Sequence, residues 1–153
     1  MTVIAYRDGV LAADRQSGAA GMIGSITKIF RVGPWLVGGS GSMAYLYEMM
    51  DWVRGGMKKA KLPDFQRDQD KFANMIFVGN EGIFLMEYSH ILIPLERPYW
   101  SIGCGRSYAM GAMHRGATAI EAVETASALD TDCGQGVDVL LLLDAPTKRR
   151  KKA

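Results

Sequence analysis

Apolar and polar positions alternate almost from the first residue. Val3-Ile4-Ala5-Tyr6-Arg7, then Asp8-Gly9, then Val10-Leu11-Ala12-Ala13 predicts two short strands joined by an Asp-Gly turn. A glycine-rich stretch (Gly18, Gly21, Gly24) leads to a second hairpin, residues 26–32 and 35–39, turned at Gly33-Pro34. Four strands are thus expected before any helix. Across 42–57 the pattern changes to helical spacing: Leu46, Met49, Met50, Val53 and Met57 share one face, Ser42 is a candidate N-cap, and Gly55-Gly56 weakens the end. Residues 72–78 and 83–88 read as a third hairpin around Asn80-Glu81-Gly82. Shorter strands follow at 91–95 and 98–102, where Pro94 and Pro98 favour sheet edges.

Residues 106–114 and 118–129 predict two helices separated by Gly116, and 137–143 returns to strand. That last run, broken by Asp138, is expected to be buried, and it is far shorter than the roughly 20 residues that span a bilayer. Strands, helix, strands, two helices, strand is the order of antiparallel sheets with helices packed outside, not of a parallel doubly wound sheet.

A chain of 153 residues, 48% apolar and 22% charged, fits one globular domain, taken here as 1–145, followed by a basic tail at 146–153. Much of the excess behind the formal charge of +2 sits in Lys148, Arg149, Arg150, Lys151 and Lys152. The body is therefore near neutral, which argues against a nucleic-acid partner, and the tail reads as a solvated terminus. Cys104 and Cys133 accompany no secretion-type leader, so free thiols in a cytosolic, reducing setting are expected, with no membrane partner.

The Met-Thr start brings in chemistry. A hydroxyl needs a base to take its proton, and a residue whose α-amine is free can supply its own. Such an amine titrates at about 7.7–8.0, so part of it is available as base near neutrality. Removal of Met1 would expose Thr2 in this way, although many ordinary proteins begin Met-Thr.

The remaining segments give that start its meaning. Thr2-Val-Ile-Ala-Tyr-Arg-Asp-Gly-Val-Leu-Ala-Ala-Asp14-Arg resembles the opening of proteasome β subunits and their bacterial relative HslV, where a nucleophilic Thr begins a hairpin ending in an essential Asp. Ile26-Thr27-Lys28-Ile29 is similar to the segment with that family's active-site lysine. Val37-Gly38-Gly39-Ser40-Gly41-Ser42-Met43-Ala44 is similar to its oxyanion turn and first helix. Ser101-Ile102-Gly103-Cys104-Gly105-Arg106-Ser107-Tyr108-Ala109 resembles the Gly-Ser-Gly segment before its later helices. Residues 122–129 with Asp130-Thr131-Asp132-Cys133-Gly134 resemble the helix and loop that supply the last polar groups. The matches run in the family's order from Thr2 to about Leu143.

The resemblance implies an N-terminal nucleophile hydrolase of the α+β class, a four-layer αββα sandwich with two antiparallel sheets between helix layers. It makes Thr2 the nucleophile and its amine the proton acceptor, Lys28 the cation beside it, Asp14 the partner of Lys28, and Gly41 the N–H donor to the oxyanion. Asp130, Cys104 and Cys133 would hold the amine, the cysteines standing where the family usually carries serines. Ser17, Ile26, Gly39 and Met43 would line the pocket for the side chain preceding the cleaved bond. Read singly, Asp14 and Lys28 serve equally as surface charges, Gly41 as a helix start and the cysteines as small apolar residues.

The activity so implied is threonine-type endopeptidase action on peptide or unfolded-protein substrates, without metal or cofactor, in a homo-oligomeric ring or double ring. An ATP-dependent unfoldase partner is compatible with the resemblance, and the chain has no nucleotide-binding loop of its own. The alternatives are a non-catalytic ring subunit, or a small-molecule amidase using the same nucleophile.

Overall fold

The computed structural model describes residues 1–63 and 73–143. Strand β1 (Ile4–Arg7) and β2 (Val10–Asp14) pair antiparallel, Ile4 opposite Ala13. Both turn residues, Asp8 and Gly9, take positive φ (49° and 80°), the backbone that matches the twist of a two-residue hairpin. On either side of this hairpin lie β10 (Tyr99–Ile102), antiparallel to β1, and β11 (Val137–Leu141), antiparallel to β2, giving a four-stranded sheet in the order β10-β1-β2-β11.

A five-stranded antiparallel sheet holds β5 (Ile29–Val32), β6 (Trp35–Gly41), β7 (Ala73–Gly79), β8 (Gly82–Glu87) and β9 (Ile93–Leu95) in chain order. The strands expected to lie at edges, β9 and β10, do so. The glycine-rich stretch forms one more hairpin, β3 (Gln16–Ala19) and β4 (Met22–Ser25), so six strands precede the first helix, not four. Its turn, Ala20-Gly21, has φ of 51° and 78°. Small residues in β3 and an exposed β4 left no inward-outward alternation to read.

Helix α1 (Met43–Arg54) buries Tyr45, Leu46, Met49, Met50, Trp52 and Val53, a stripe that packs with Val37, Met75, Phe77 and Met86 of the five-stranded sheet. It stops three residues earlier than the apolar spacing predicts, at Gly55, with Gly56 at φ 91°. Ser42 is its N-cap by position, but the Ser42 hydroxyl makes no cap hydrogen bond. Helices α2 (Arg106–His114) and α3 (Ala119–Leu129) cover the four-stranded sheet, where Ala109, Met113, Ala119, Ala122, Val123 and Ala126 meet Val3, Ala5 and Ala12. The alternate residues Ile4, Leu11 and Ala13 face the other way and join Ile29, Leu36, Ile76, Val78, Ile83 and Leu85 in a third cluster drawn from both sheets.

The last strand differs from expectation. β11 is an edge strand with Val139 and Leu141 exposed, not a buried one, and Asp138 within it pairs with Arg15 at 2.5 Å. Phe72, the first residue of the strand expected at 72–78, the connection at 64–71 and the basic tail lie outside the described residues.

Candidate active site

Thr2 stands just before β1 and is 2% exposed. Its neighbour Val3 locks to the end of β2 by reciprocal bonds: Val3 N–H donates to Asp14 Oδ1 at 2.9 Å, and Asp14 N–H donates to the Val3 carbonyl at 3.1 Å. The hairpin register therefore brings Asp14, eleven residues along the chain from Val3, beside the first residues. Asp14 Oδ1 also accepts from Lys28 Nζ at 2.8 Å, while Oδ2 accepts the N–H groups of Gln16 (3.2 Å) and Gly134 (3.1 Å). Both charged side chains are 0% exposed. A lysine is almost never wholly buried unless paired, because desolvation costs several kcal/mol per ion. Lys28 is held just ahead of β5, where its carbonyl accepts from Gly39 N–H at 3.3 Å.

Lys28 Nζ makes a second bond, to the carbonyl oxygen of Met1 at 2.9 Å. Thr2 Oγ1 donates to that same oxygen at 2.5 Å. Hydroxyl and ammonium are thus within the reach of one oxygen atom. Thr2 N–H donates to Cys104 Sγ at 3.2 Å; the Cys104 thiol in turn donates to the Thr2 carbonyl (3.3 Å), which also accepts from Gly105 N–H (3.2 Å). Gly103 has φ of 96°, and a Cβ there would collide with the Thr2 carbonyl, so only glycine permits this approach.

Cys133 Sγ lies 3.7 Å from Cys104 Sγ, and the two sulfurs with a carboxylate oxygen of Asp130 all fall within 4.8 Å of one another. Burial first, then the neighbouring Cys104 and the Asp14 carboxylate, pushes the Cys133 thiol well above its ordinary value, which favours the neutral thiol. The loop holding it is pinned twice: Gln16 Nε2 donates to the Thr131 carbonyl at 2.9 Å, and Asp132 N–H to Asp130 Oδ1 at 2.9 Å.

A cleft of about 520 Å³ opens over this cluster, lined by Met1, Thr2, Gly41, Ile102, Gly103 and Cys104 among others. Gly41 ends β6 at φ 132°, immediately before α1, so its N–H lies near the positive end of a twelve-residue helix. The structure therefore brings Thr2, Asp14, Lys28, Cys104, Asp130 and Cys133 together and sets Gly41 on the same cleft. The other four expected residues sit elsewhere. Ser17 and Ile26 line a separate groove beside Met22 and Ile23. Gly39 faces Leu46, which fills the space a side chain would need, and Met43 packs on the core under α1. Sequence reading missed Ser40, Asn74, Glu87, Trp100 and Arg106 in the cleft wall. Ser40 and Asn74 face each other across β6 and β7, and Asn74 faces Glu87 across β8, pairings no local pattern announces.

No protein-family model matches the sequence, and no curated protein is significantly similar to it. Solved structures are. HslV from Trypanosoma brucei superposes with a TM-score of 0.71 at 18% identity, over 94% of this chain and 100% of that one. BPH from Thiobacillus denitrificans, in complex with epoxomicin, gives 0.67 at 20% identity over 94% and 99%. Anbu (ancestral beta-subunit) from Yersinia bercovieri gives 0.70 at 12% over 92% and 81%. The chain is similar to these three in fold: mixed α and β, with antiparallel sheets and three helices among the described residues.

Proposed function

We propose that this chain is a threonine peptidase of the N-terminal nucleophile class, folded as α2 and α3, two sheets and α1 in four layers. The observation that carries the reading is the wholly buried Lys28–Asp14 pair, whose ammonium shares an acceptor with the Thr2 hydroxyl. A protein core gains little from such a pair compared with apolar residues of similar size, so its position beside a hydroxyl argues for chemistry.

Cleavage of the Met1–Thr2 bond turns the Thr2 amide nitrogen into an amine and removes the carbonyl that Oγ1 and Lys28 Nζ share. The amine takes the Oγ1 proton as Oγ1 attacks the substrate carbonyl, with the Lys28 charge favouring the alkoxide-like state. The Gly41 N–H, at the head of α1, stabilises the oxyanion. An acyl-enzyme ester forms, the amine hands its proton to the leaving nitrogen, and water then releases the acyl group. Cys104 and the Asp130–Cys133 loop position the amine.

Ring assembly around peptide or unfolded-protein substrates, and an unfoldase that feeds it, belong to the same proposal and rest on the likeness to HslV and Anbu. The described residues include no helix long and apolar enough to cross a membrane. The test is hydrolysis of a panel of fluorogenic peptides by protein lacking Met1. Turnover lost in Thr2→Ala supports the reading, and turnover unchanged by that substitution refutes it.

A further inference from the structure

Two thiols and a carboxylate lie within 4.8 Å of one another, and one of the thiols, Cys104, accepts from Thr2 N–H at 3.2 Å, more soft-ligand chemistry than holding an amine requires. We propose that Cys104, Cys133 and Asp130 form a binding site for a thiophilic divalent cation of the zinc class, which the Thr2 amine completes once Met1 is gone, so that occupancy withdraws the base of the hydrolytic site. The binding part stands on geometry alone; the inhibitory part rests on the function proposed above.

The distances fit. With Zn–S bonds of about 2.3 Å at tetrahedral angles, two sulfurs lie about 3.7–3.8 Å apart. Cys104 Sγ and Cys133 Sγ are separated by 3.7 Å. A nitrogen or oxygen ligand at about 2.0–2.1 Å would lie about 3.5 Å from each sulfur. Thr2 N is 3.2 Å from Cys104 Sγ, and the Asp130 oxygen is within 4.8 Å of both sulfurs. Closing the polyhedron requires the Asp130 oxygen and the Thr2 nitrogen each to stand about 3.5 Å from both sulfurs.

The surroundings fit as well. Cys104 is exposed and lines the cleft, so an ion has a path in, while Cys133 is buried. A Cβ on Gly105 would stand 2.8 Å from Cys133 Sγ, so glycine is what lets that sulfur approach. Asp130 is oriented by Asp132 N–H on Oδ1, a supporting bond of the kind metal-ligating carboxylates carry. A cation also reverses the local field: the adjacent sulfur and the carboxylates, which oppose a thiolate when no ion is near, become the charges that hold it. Two thiolates select zinc-like ions over magnesium or calcium. Binding releases the thiol protons, so it tightens as pH rises.

The ion consumes the lone pair of the Thr2 amine. A proton acceptor thereby becomes a metal ligand, and hydrolysis stops without any change in fold. With Met1 in place the Thr2 nitrogen is an amide and no ligand, so the same chain binds with three protein groups and weaker affinity.

Cobalt(II) is the probe, added to reduced protein whose loss of Met1 is verified by mass. One cobalt per chain, with a thiolate-to-cobalt charge-transfer band displaced by zinc, is expected. The band should weaken in Cys104→Ser and in Cys133→Ser, and binding should weaken when the N-terminus is extended by an uncleavable segment. Zinc should block formation of the Thr2 adduct with an epoxyketone, and a chelator should restore it. No thiolate band on the unmutated chain at saturating cobalt overturns the inference, even if epoxyketone still reacts and the hydrolase reading stands. A thiolate band on a chain that never reacts with epoxyketone keeps the metal site and removes its inhibitory role.

Discussion

Asp14 accepts four hydrogen bonds, three from backbone N–H groups and one from Lys28, and so joins β1, β3, β5 and the 130–134 loop at one carboxylate. Lys28 has no comparable set; its ammonium bonds Asp14 and the Met1 carbonyl. The two residues should therefore respond differently to substitution. Asp14→Asn strands a buried ammonium and turns an amide N–H₂ toward donors, which should cost about 3–5 kcal/mol in urea unfolding, the range for breaking a buried pair. Lys28→Met leaves the carboxylate with three backbone donors and fills the space with an apolar chain, so it should cost less. Both should lower peptidase turnover by about 10² or more. A Lys28→Met protein with undiminished turnover would remove Lys28 from the mechanism.

The grouping of Asp14 and Lys28 was expected from the resemblance and not from local pattern; in the structure the β1–β2 register sets Asp14 beside Val3, and Lys28 returns to it after the β3–β4 hairpin. The four residues expected to line the substrate pocket lie away from the cleft over Thr2 for a physical reason. Gly39 lies on β6 beneath Leu46 of α1 and Met43 is the first residue of α1, so the packing of that helix decides where both face, and Ser17 and Ile26 go with the β3–β4 hairpin. The wall of the cleft over Thr2 gathers β6, β7, β8 and the residues around 103, which are brought together only by long-range pairing.

Among the elements, α3 has the most explicit start signal. Thr118 accepts from Glu121 N–H, and the Glu121 carboxylate accepts from Thr118 N–H, a complete capping box that the sequence pattern Thr-x-x-Glu announces. The backbone hydrogen bond from Thr118 first, and its hydroxyl second, hold the Glu121 carboxyl below its ordinary value of 4.5. A lowered folded value means that this contribution is fully present above about pH 4.5 and is lost as pH falls through the folded value. Thr118→Ala should lower stability by about 1 kcal/mol near neutrality and flatten the acid limb of a Tm-against-pH curve. An unchanged acid limb would show that the box contributes nothing measurable in solution. Long periodic elements such as α1 and α3 were readable from spacing. The β3–β4 hairpin was not, because four-residue strands exposed to solvent carry no alternation.

For the whole molecule, exposed apolar groups bear on assembly. Met22 and Ile23, 73% and 63% exposed, stand at the tip of the β3–β4 hairpin, and the edge strand β11 exposes Val139 and Leu141. A chain of 16.7 kDa that works alone has little reason to present such groups together. Light scattering after size exclusion should give a mass several times that of one chain, and Met22→Asp with Ile23→Asp should shift it toward the protomer with helix content retained. A monomeric unmutated protein would remove the ring and leave a cleft open to bulk solvent, as a small-molecule amidase would have.

Whether Thr2 supplies both the nucleophile and its base is read at once by intact mass spectrometry before and after an epoxyketone inhibitor, since the ring adduct needs the hydroxyl and the free amine. Loss of Met1 together with a stable adduct that is absent in Thr2→Ala is the predicted result. A chain that has lost Met1, remains folded and yet forms no adduct would contradict the account.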